Sequence, residues 1–280
     1  MLTSSFIFAP GVTEEIEQDL WRRGVTSWEI LRKHPGEATE AMGETRGGKL
    51  VQAVNEAQAA LDAHDLHWFR VNWPEKELWR LWEGYCAPTE RALVDIETTG
   101  RTPGYDQITV IGLSDGTRER AFVAGQPQEQ DEALEAFLEA IRSYRLLVTF
   151  NGLNFDVPFI EKHFRAANWR CEQPHIDLIY PARALGLSGG LKDMEKQIGI
   201  VRDDSIAGMR GSEAITLWGQ WNQHRDRAAY DRLVVYCKAD CTNLKDFADH
   251  IYRKRWSETY EAHARSIDLD ATYGEQTTLF

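Results

Sequence analysis

Cysteine is scarce in this sequence. The four residues Cys86, Cys171, Cys237 and Cys241 are too few and too scattered for a disulfide framework. Stability must therefore come from an apolar core, which 280 residues can supply. A reducing, cytoplasmic setting fits such a chain best. No apolar run reaches about 18 residues, so no transmembrane helix is expected. The start MLTSSFIFAPGV has no basic segment ahead of its short apolar stretch, unlike a secretory leader. Positive charge is also short: 32 Lys and Arg stand against 44 Asp and Glu, a formal charge of −12. That argues against a passive nucleic-acid coat, which is normally basic. It does not exclude a nuclease, because carboxylates loaded with divalent metal present positive charge of their own. What is present is ordinary for a globular protein: 42% hydrophobic and 27% charged residues. The length suggests about two domains.

The first 88 residues read as helical. Ile16, Leu20 and Trp21 recur at helical spacing between Thr13 and Arg23, with Gly24 as a C-cap. Ser27 opens a second short helix, Trp28 to Lys33. Residues 34–48 are polar and glycine-rich and read as a loop. Helices are expected over 49–63 and, behind Pro74, over 75–85. The six tryptophans Trp21, Trp28, Trp68, Trp73, Trp79 and Trp82 read as core, in preference to a base-stacking surface. From about residue 90 the pattern changes. Strands are expected over 91–96, 107–113 and 118–123, then a helix over 129–143 and a strand over 146–150. The rest reads as helices over 156–168, 177–185, 190–198, 211–222 and 227–252. Hairpin strands followed by alternating helix and strand predict an α/β domain with a mixed sheet.

Four carboxylates stand out. Asp95 and Glu97 end an apolar strand two residues apart, so they share one face of the sheet. Asp156 follows the 146–150 strand in Asn151-Gly-Leu-Asn-Phe155-Asp156, where it can start a helix. Asp240 lies in the last long helix, one turn after Tyr236 on the same face. Phosphodiester hydrolysis needs an activated water and a sink for charge on the leaving oxygen, and two divalent ions about 3.5–4 Å apart supply both. Such ions take oxygen ligands, chiefly carboxylates. The plain reading of each acid alone is a helix cap or a solvated strand end, and for Asp156 or Asp240 in isolation that reading is preferred. Three segments with matching patterns change that balance.

Asp95-Ile-Glu97-Thr98-Thr-Gly, Asn151-x3-Phe155-Asp156 and Tyr236-x3-Asp240 resemble the three motifs of the DEDD, or DnaQ-like, exonucleases, which have the ribonuclease-H-like fold. Tyrosine four residues before the last aspartate resembles the DEDDy subclass; the DEDDh subclass would carry histidine where Val235 stands. The segment 150–159 is also similar to the proofreading domain of family-B DNA polymerases. Pro10-Gly-Val, Leu20-Trp-x-x-Gly24, His175-Ile-Asp-Leu178 and Gly189-Gly-Leu-Lys192-Asp-Met-Glu195 resemble the bacterial YprB-type predicted exonucleases. The resemblance implies a ribonuclease-H-like domain over 89–256, with mixed central sheet and flanking helices. A small helical N-terminal domain over 1–88 precedes it and a tail over 257–280 follows. It implies catalytic Asp95, Glu97, Asp156, Tyr236 and Asp240, the four acids holding two Mg2+ or Mn2+ ions. Asp95, Glu97 and Asp240 would hold the ion that activates water, and Asp95 would bridge to the second, near Asp156. Tyr236 would orient the water, since a phenol titrates near 10. Thr98, Asn151, Phe155 and Lys192 are candidate substrate contacts. The implied activity is 3′–5′ removal of nucleotides from a single-stranded end, DNA in preference to RNA, with DNA repair as the setting. A non-cleaving nucleic-acid-binding or adaptor module and a structure-specific endonuclease are the rival readings.

Other features carry less. A cap and a buried polar contact explain His175 and Asp177 as well as a functional role does. Cys237 and Cys241 read as small packing residues. Arg253-Lys-Arg255 reads as a solvated face. Residues 9–33 partly resemble a helix-hairpin-helix, although Thr13 stands where a second turn glycine is usual. The terminal Gln276-x-x-Leu279-Phe280 resembles the peptide by which replication and repair proteins dock into the bacterial sliding clamp.

Overall fold

Alternation along residues 91–98 decides how the larger unit is layered. In the computed structural model, which describes residues 1–204, 206, 208–265, 267 and 269, two units are distinguished. One comprises Met1–Tyr85 with the described chain from Tyr252, and the other Cys86–Ile251. The sequence reading placed these limits at 88 and 257.

In the first unit, α1 (Glu14–Arg22) and α2 (Trp28–Lys33) begin where expected. Thr13 and Ser27 accept from the amides of Ile16 and Ile30. Residues 34–48 are not a loop: α3 (Gly36–Met42) and the start of α4 (Glu44–Asp62) occupy them. Gly47 sits where a Cβ would lie 2.6 Å from the Thr39 amide nitrogen. Glycine there lets the two helices touch, so composition that suggested a loop serves packing. A fifth helix, α5 (Leu66–Asn72), had no expectation. Residues 75–81 form a 3-10 helix, whose i,i+3 spacing aligns Glu77 with Arg80. Arg80 also pairs with Glu17 at 2.7 Å, both fully buried. Trp21, Trp28, Trp73, Trp79 and Trp82 are buried and Trp68 half-buried, as a core reading requires. The turn at Gly11 follows a single 3-10 turn, Leu2–Ser4, and α1 opens with Glu14, Glu15 and Glu17. That acidic first turn disfavours phosphate at the helix N-terminus.

The second unit holds a six-stranded mixed sheet, β1 (Arg91–Thr98), β2 (Ile108–Ser114), β3 (Glu119–Val123), β4 (Glu132–Ala133), β5 (Leu146–Thr149) and β6 (His175–Asp177). Its order is β4-β3-β2-β1-β5-β6. β1–β2 and β2–β3 are antiparallel, and the β1–β5, β5–β6 and β3–β4 pairs are parallel. The helix expected over 129–143 is cut to α6 (Phe137–Ile141) by β4 and a 3-10 turn. The Arg120 fork holds Glu132 at 2.6 and 2.7 Å, which keeps that segment paired with β3. The helix expected from 177 likewise yields to β6, and α8 (Ile179–Ala184) starts after it. Between these lies α7 (Asp156–His163). The remaining helices are α9 (Leu191–Gln197), α10 (Gly211–His224) and α11 (Arg227–Trp256).

Along β1, Ala92, Val94 and Ile96 join Phe137, Phe159 and Ile160 in one core. The opposite parity, Asp95 and Glu97, falls on the face where Val110, Tyr230, Leu233 and Cys237 form the second core. Among the described residues, no helix is long and apolar enough to cross a membrane.

Candidate active site

Asp95 and Glu97 reach the site from the end of β1, where the register slips between Glu97 and Thr98. Asp95 lies across from Gly112 of β2. A Cβ on Gly112 would run into the Cys241 thiol and come within 3.0 Å of the Cys237 carbonyl. Glycine at that point lets α11 approach the sheet, which brings Tyr236 and Asp240 beside Asp95.

Asp156 is the first residue of α7. The loop before it has its own anchor. Asn151 takes the left-handed conformation at φ 64°, which asparagine tolerates. Asp177, at the end of β6, accepts from the amides of Asn151 (2.6 Å) and Leu153 (3.1 Å), and from Ile179 (3.2 Å). His175 pairs with Thr149 at 2.8 Å. Both residues thus shape the 150–155 loop.

One cleft of about 650 Å3 is lined by Asp95, Glu97, Asp156, Tyr236 and Asp240 together with Thr98, Asn151, Phe155 and Ile215. Lys192 lines an adjoining hollow of about 290 Å3 that shares Asp95, Tyr236 and Asp240. All nine residues expected in the nuclease site from Asp95 to Asp240 therefore lie in or beside one depression. Gln276, Leu279 and Phe280 lie outside the described residues.

The acids press on one another. Burial, then the charges of Asp240, Asp156 and Glu97, push Asp95 well above the carboxylate range. Glu97 is pushed up by burial and Asp240, against relief from Lys192. Burial raises Asp156 to about 7, although hydrogen bonds from its own amide and that of Ile96 pull it down. Tyr236 is also pushed up, by burial and by Asp240, Glu97 and Asp95, so its phenol stays protonated. Lys192 donates to the Tyr236 hydroxyl and, at 2.7 Å, to the Met209 carbonyl. That leaves the phenol's own proton free to donate. Burial lowers Lys192, while Asp240 resists. The Thr98 hydroxyl is spent locally, donating to the Gly100 carbonyl at 2.5 Å.

The lining suits a divalent cation: four carboxylates border one cleft, and their charge is only partly offset by protein cations. Ligand atoms of Asp95, Glu97 and Cys237 lie within 4.8 Å of one another. The sequence reading missed Arg202. Its side chain is 5% exposed, forks onto Glu195, and donates to Asp240. Followed by Asp203-Asp204, it resembles any solvated charge run, so spacing offers no signal for it.

A sheet of this order, with its acids at the end of the central strand, places the chain in a recognisable class. Residues 92–252 match the family model RNase_H_2, described as RNase_H superfamily. The chain belongs to that superfamily. It is similar to the family B DNA polymerase of the hyperthermophilic archaeon Pyrobaculum calidifontis at 17% identity and a TM-score of 0.46, over 60% of this chain and 25% of the polymerase. It is similar to a nuclease solved in its apo form at 18% identity and a TM-score of 0.43, over 62% of this chain and 76% of that one. No curated protein matches the chain.

Proposed function

We propose that this protein is a metal-dependent 3′–5′ exonuclease of the DEDDy type, akin to the YprB-type enzymes, acting on single-stranded ends and on DNA in preference to RNA. The observation that carries the reading is the meeting of Asp95, Glu97, Asp156 and Asp240, from three separate segments, in one cleft with Tyr236 a turn before Asp240. Asp95, Glu97 and Asp240 would hold one cation, and Asp95 with Asp156 a second. Two Mg2+ or Mn2+ ions would supply Lewis acidity and neutralise the acids. The protonated Tyr236 donates a hydrogen bond and orients the attacking water. It is no general base, because its acidity is suppressed. Phe155 and Asn151 border the cleft where a terminal nucleotide would rest.

The test is digestion of end-labelled DNA and RNA, single- and double-stranded, with Mg2+ or Mn2+. Stepwise loss from the 3′ end by wild type, abolished in a folded Asp95→Asn variant, supports the reading. Undiminished cleavage by that variant overturns the site. Internal cuts would favour a structure-specific endonuclease, and binding without cleavage an adaptor module. Sliding-clamp docking through Gln276, Leu279 and Phe280 is a separate proposal. A peptide of residues 272–280 should bind the clamp, and its Leu279→Ala/Phe280→Ala form should not.

A further inference from the structure

Asp240 is held from behind. Arg202 lies in the irregular stretch between α9 and α10, yet its guanidinium is 5% exposed. Two of its nitrogens grip Glu195, Nε to Oε2 at 2.5 Å and Nη2 to Oε1 at 2.7 Å. This parallel fork fixes the plane of the guanidinium. The third nitrogen, Nη1, donates to Oδ1 of Asp240. The other oxygen, Oδ2, has the Lys192 ammonium at 3.8 Å, beyond hydrogen-bonding distance. Glu195 is itself 1% exposed and sits in α9 beside the fully buried Met194. A continuous line of polar contacts thus runs from the anchored face of α9 to one oxygen of a cleft acid.

The charges decide what this line can do. An unpaired arginine on Asp240 would compete with any cation for that carboxylate. Arg202 is already matched by Glu195, so the pair is locally neutral. It can fix the direction of Asp240 through a hydrogen bond while leaving most of its negative charge for a cation. We propose that Arg202, anchored by Glu195, is the positioning residue of Asp240. It ties down one carboxylate oxygen and presents the other to a divalent ion. This rests on the reading of Asp240 as a metal ligand. Neither Arg202 nor Glu195 touches substrate in this account. Groups behind a ligand typically matter for metal affinity by tenfold to a hundredfold.

The experiment is calorimetric titration of the full chain with Mn2+. Wild type, Arg202→Gln, Arg202→Lys, Glu195→Gln and Asp240→Asn are compared, with folding followed by circular dichroism. Arg202→Gln should weaken Mn2+ about tenfold or more. Arg202→Lys, which keeps charge but loses the fork, should recover only part. Glu195→Gln should also weaken it, because the unmatched arginine then competes with the ion. On an Asp240→Asn background, Arg202→Gln should cost little further, since the oxygen it positions is no longer a charged ligand. A merely structural role would lower affinity equally on both backgrounds, and that result overturns the proposal. Equal or tighter Mn2+ binding by Arg202→Gln overturns it too, while leaving the nuclease reading standing. If Arg202→Gln does not fold, Arg202→Lys and Glu195→Gln decide the matter by the same comparison. Absence of Mn2+ binding by wild type refutes the metal reading, and this proposal with it.

Discussion

Gly112 is the point where sheet and helix meet most closely behind the acids, and Gly112→Ala tests whether that closeness is real. The new methyl would sit 3.0 Å from the Cys237 carbonyl oxygen and 3.0 Å from its sulfur, and nearer still to the Cys241 sulfur. Backbone atoms cannot step aside as a flexible side chain can, so α11 must move or the strand must bend. Overpacking of this kind costs about 1–3 kcal/mol. Alanine returns about 0.4–1 kcal/mol by restricting the unfolded chain. The expected net loss is about 1–2 kcal/mol, read by urea denaturation as a lower midpoint at unchanged slope. Because Gly112 lies across from Asp95, a retreat of α11 also draws Tyr236 and Asp240 away from Asp95, and Mn2+ binding should weaken.

The second half of the test is a rescue. Cys241→Ala removes the atom in worst conflict, at a cost of about 1 kcal/mol for the small void it leaves. In the double variant the void takes up the methyl. The combined loss should therefore be smaller than the sum of the single losses by about 1 kcal/mol, well outside the scatter expected of independent sites. Strictly additive losses, or a stabilised Gly112→Ala, would refute the argument that glycine is there to admit the helix.

Burial drives His175 down to about 3 from its ordinary 6.5, so the unfolded chain binds the extra proton between those values. Stability is complete above pH 6.5 and is lost as pH falls toward 3, by about 2 kcal/mol between pH 7 and 5. His175→Gln should remove that part of the pH slope, as urea titrations at the two pH values will show. Asp177→Ala strips the acceptor from three amides and should cost about 3 kcal/mol. Hydrogen exchange should then quicken at Asn151 and Leu153 ahead of the β1 amides. Arg80→Met leaves Glu17 buried without its cation. A loss of about 3–5 kcal/mol is expected in thermal or urea unfolding, and a neutral outcome would show that the three donors from Ser5, Phe6 and Ile7 suffice for Glu17.

What could be read from sequence follows from which forces leave a periodic trace. β1 is buried on both faces, yet the parity of Asp95 and Glu97 survives folding because a strand turns alternate side chains to opposite sides. Tyr236 and Asp240 share a helical face for the same geometric reason, and both stay within the continuous α11. Elements too short to repeat leave no trace. β4 has two residues and β6 three, so neither is expected as a strand: β4 falls inside the helix expected over 129–143, and β6 overlaps the one expected from 177 only at Asp177. Tertiary partners define them: the Arg120 fork for β4, and pairing with β5 for β6. Over residues 34–48 the composition points to a loop, whereas Gly43 serves the turn between α3 and α4 and Gly47, in α4, a close contact between the two helices. The Glu195–Arg202–Asp240 line was hidden for a deeper reason. Hydropathy marks a residue as buried only when it is apolar, whereas an arginine goes inside when specific carboxylates are waiting for it. Those partners stand seven positions before it and thirty-eight after it. No periodicity links such spacings; only the packing of α9 and the 199–204 stretch beside α11 does.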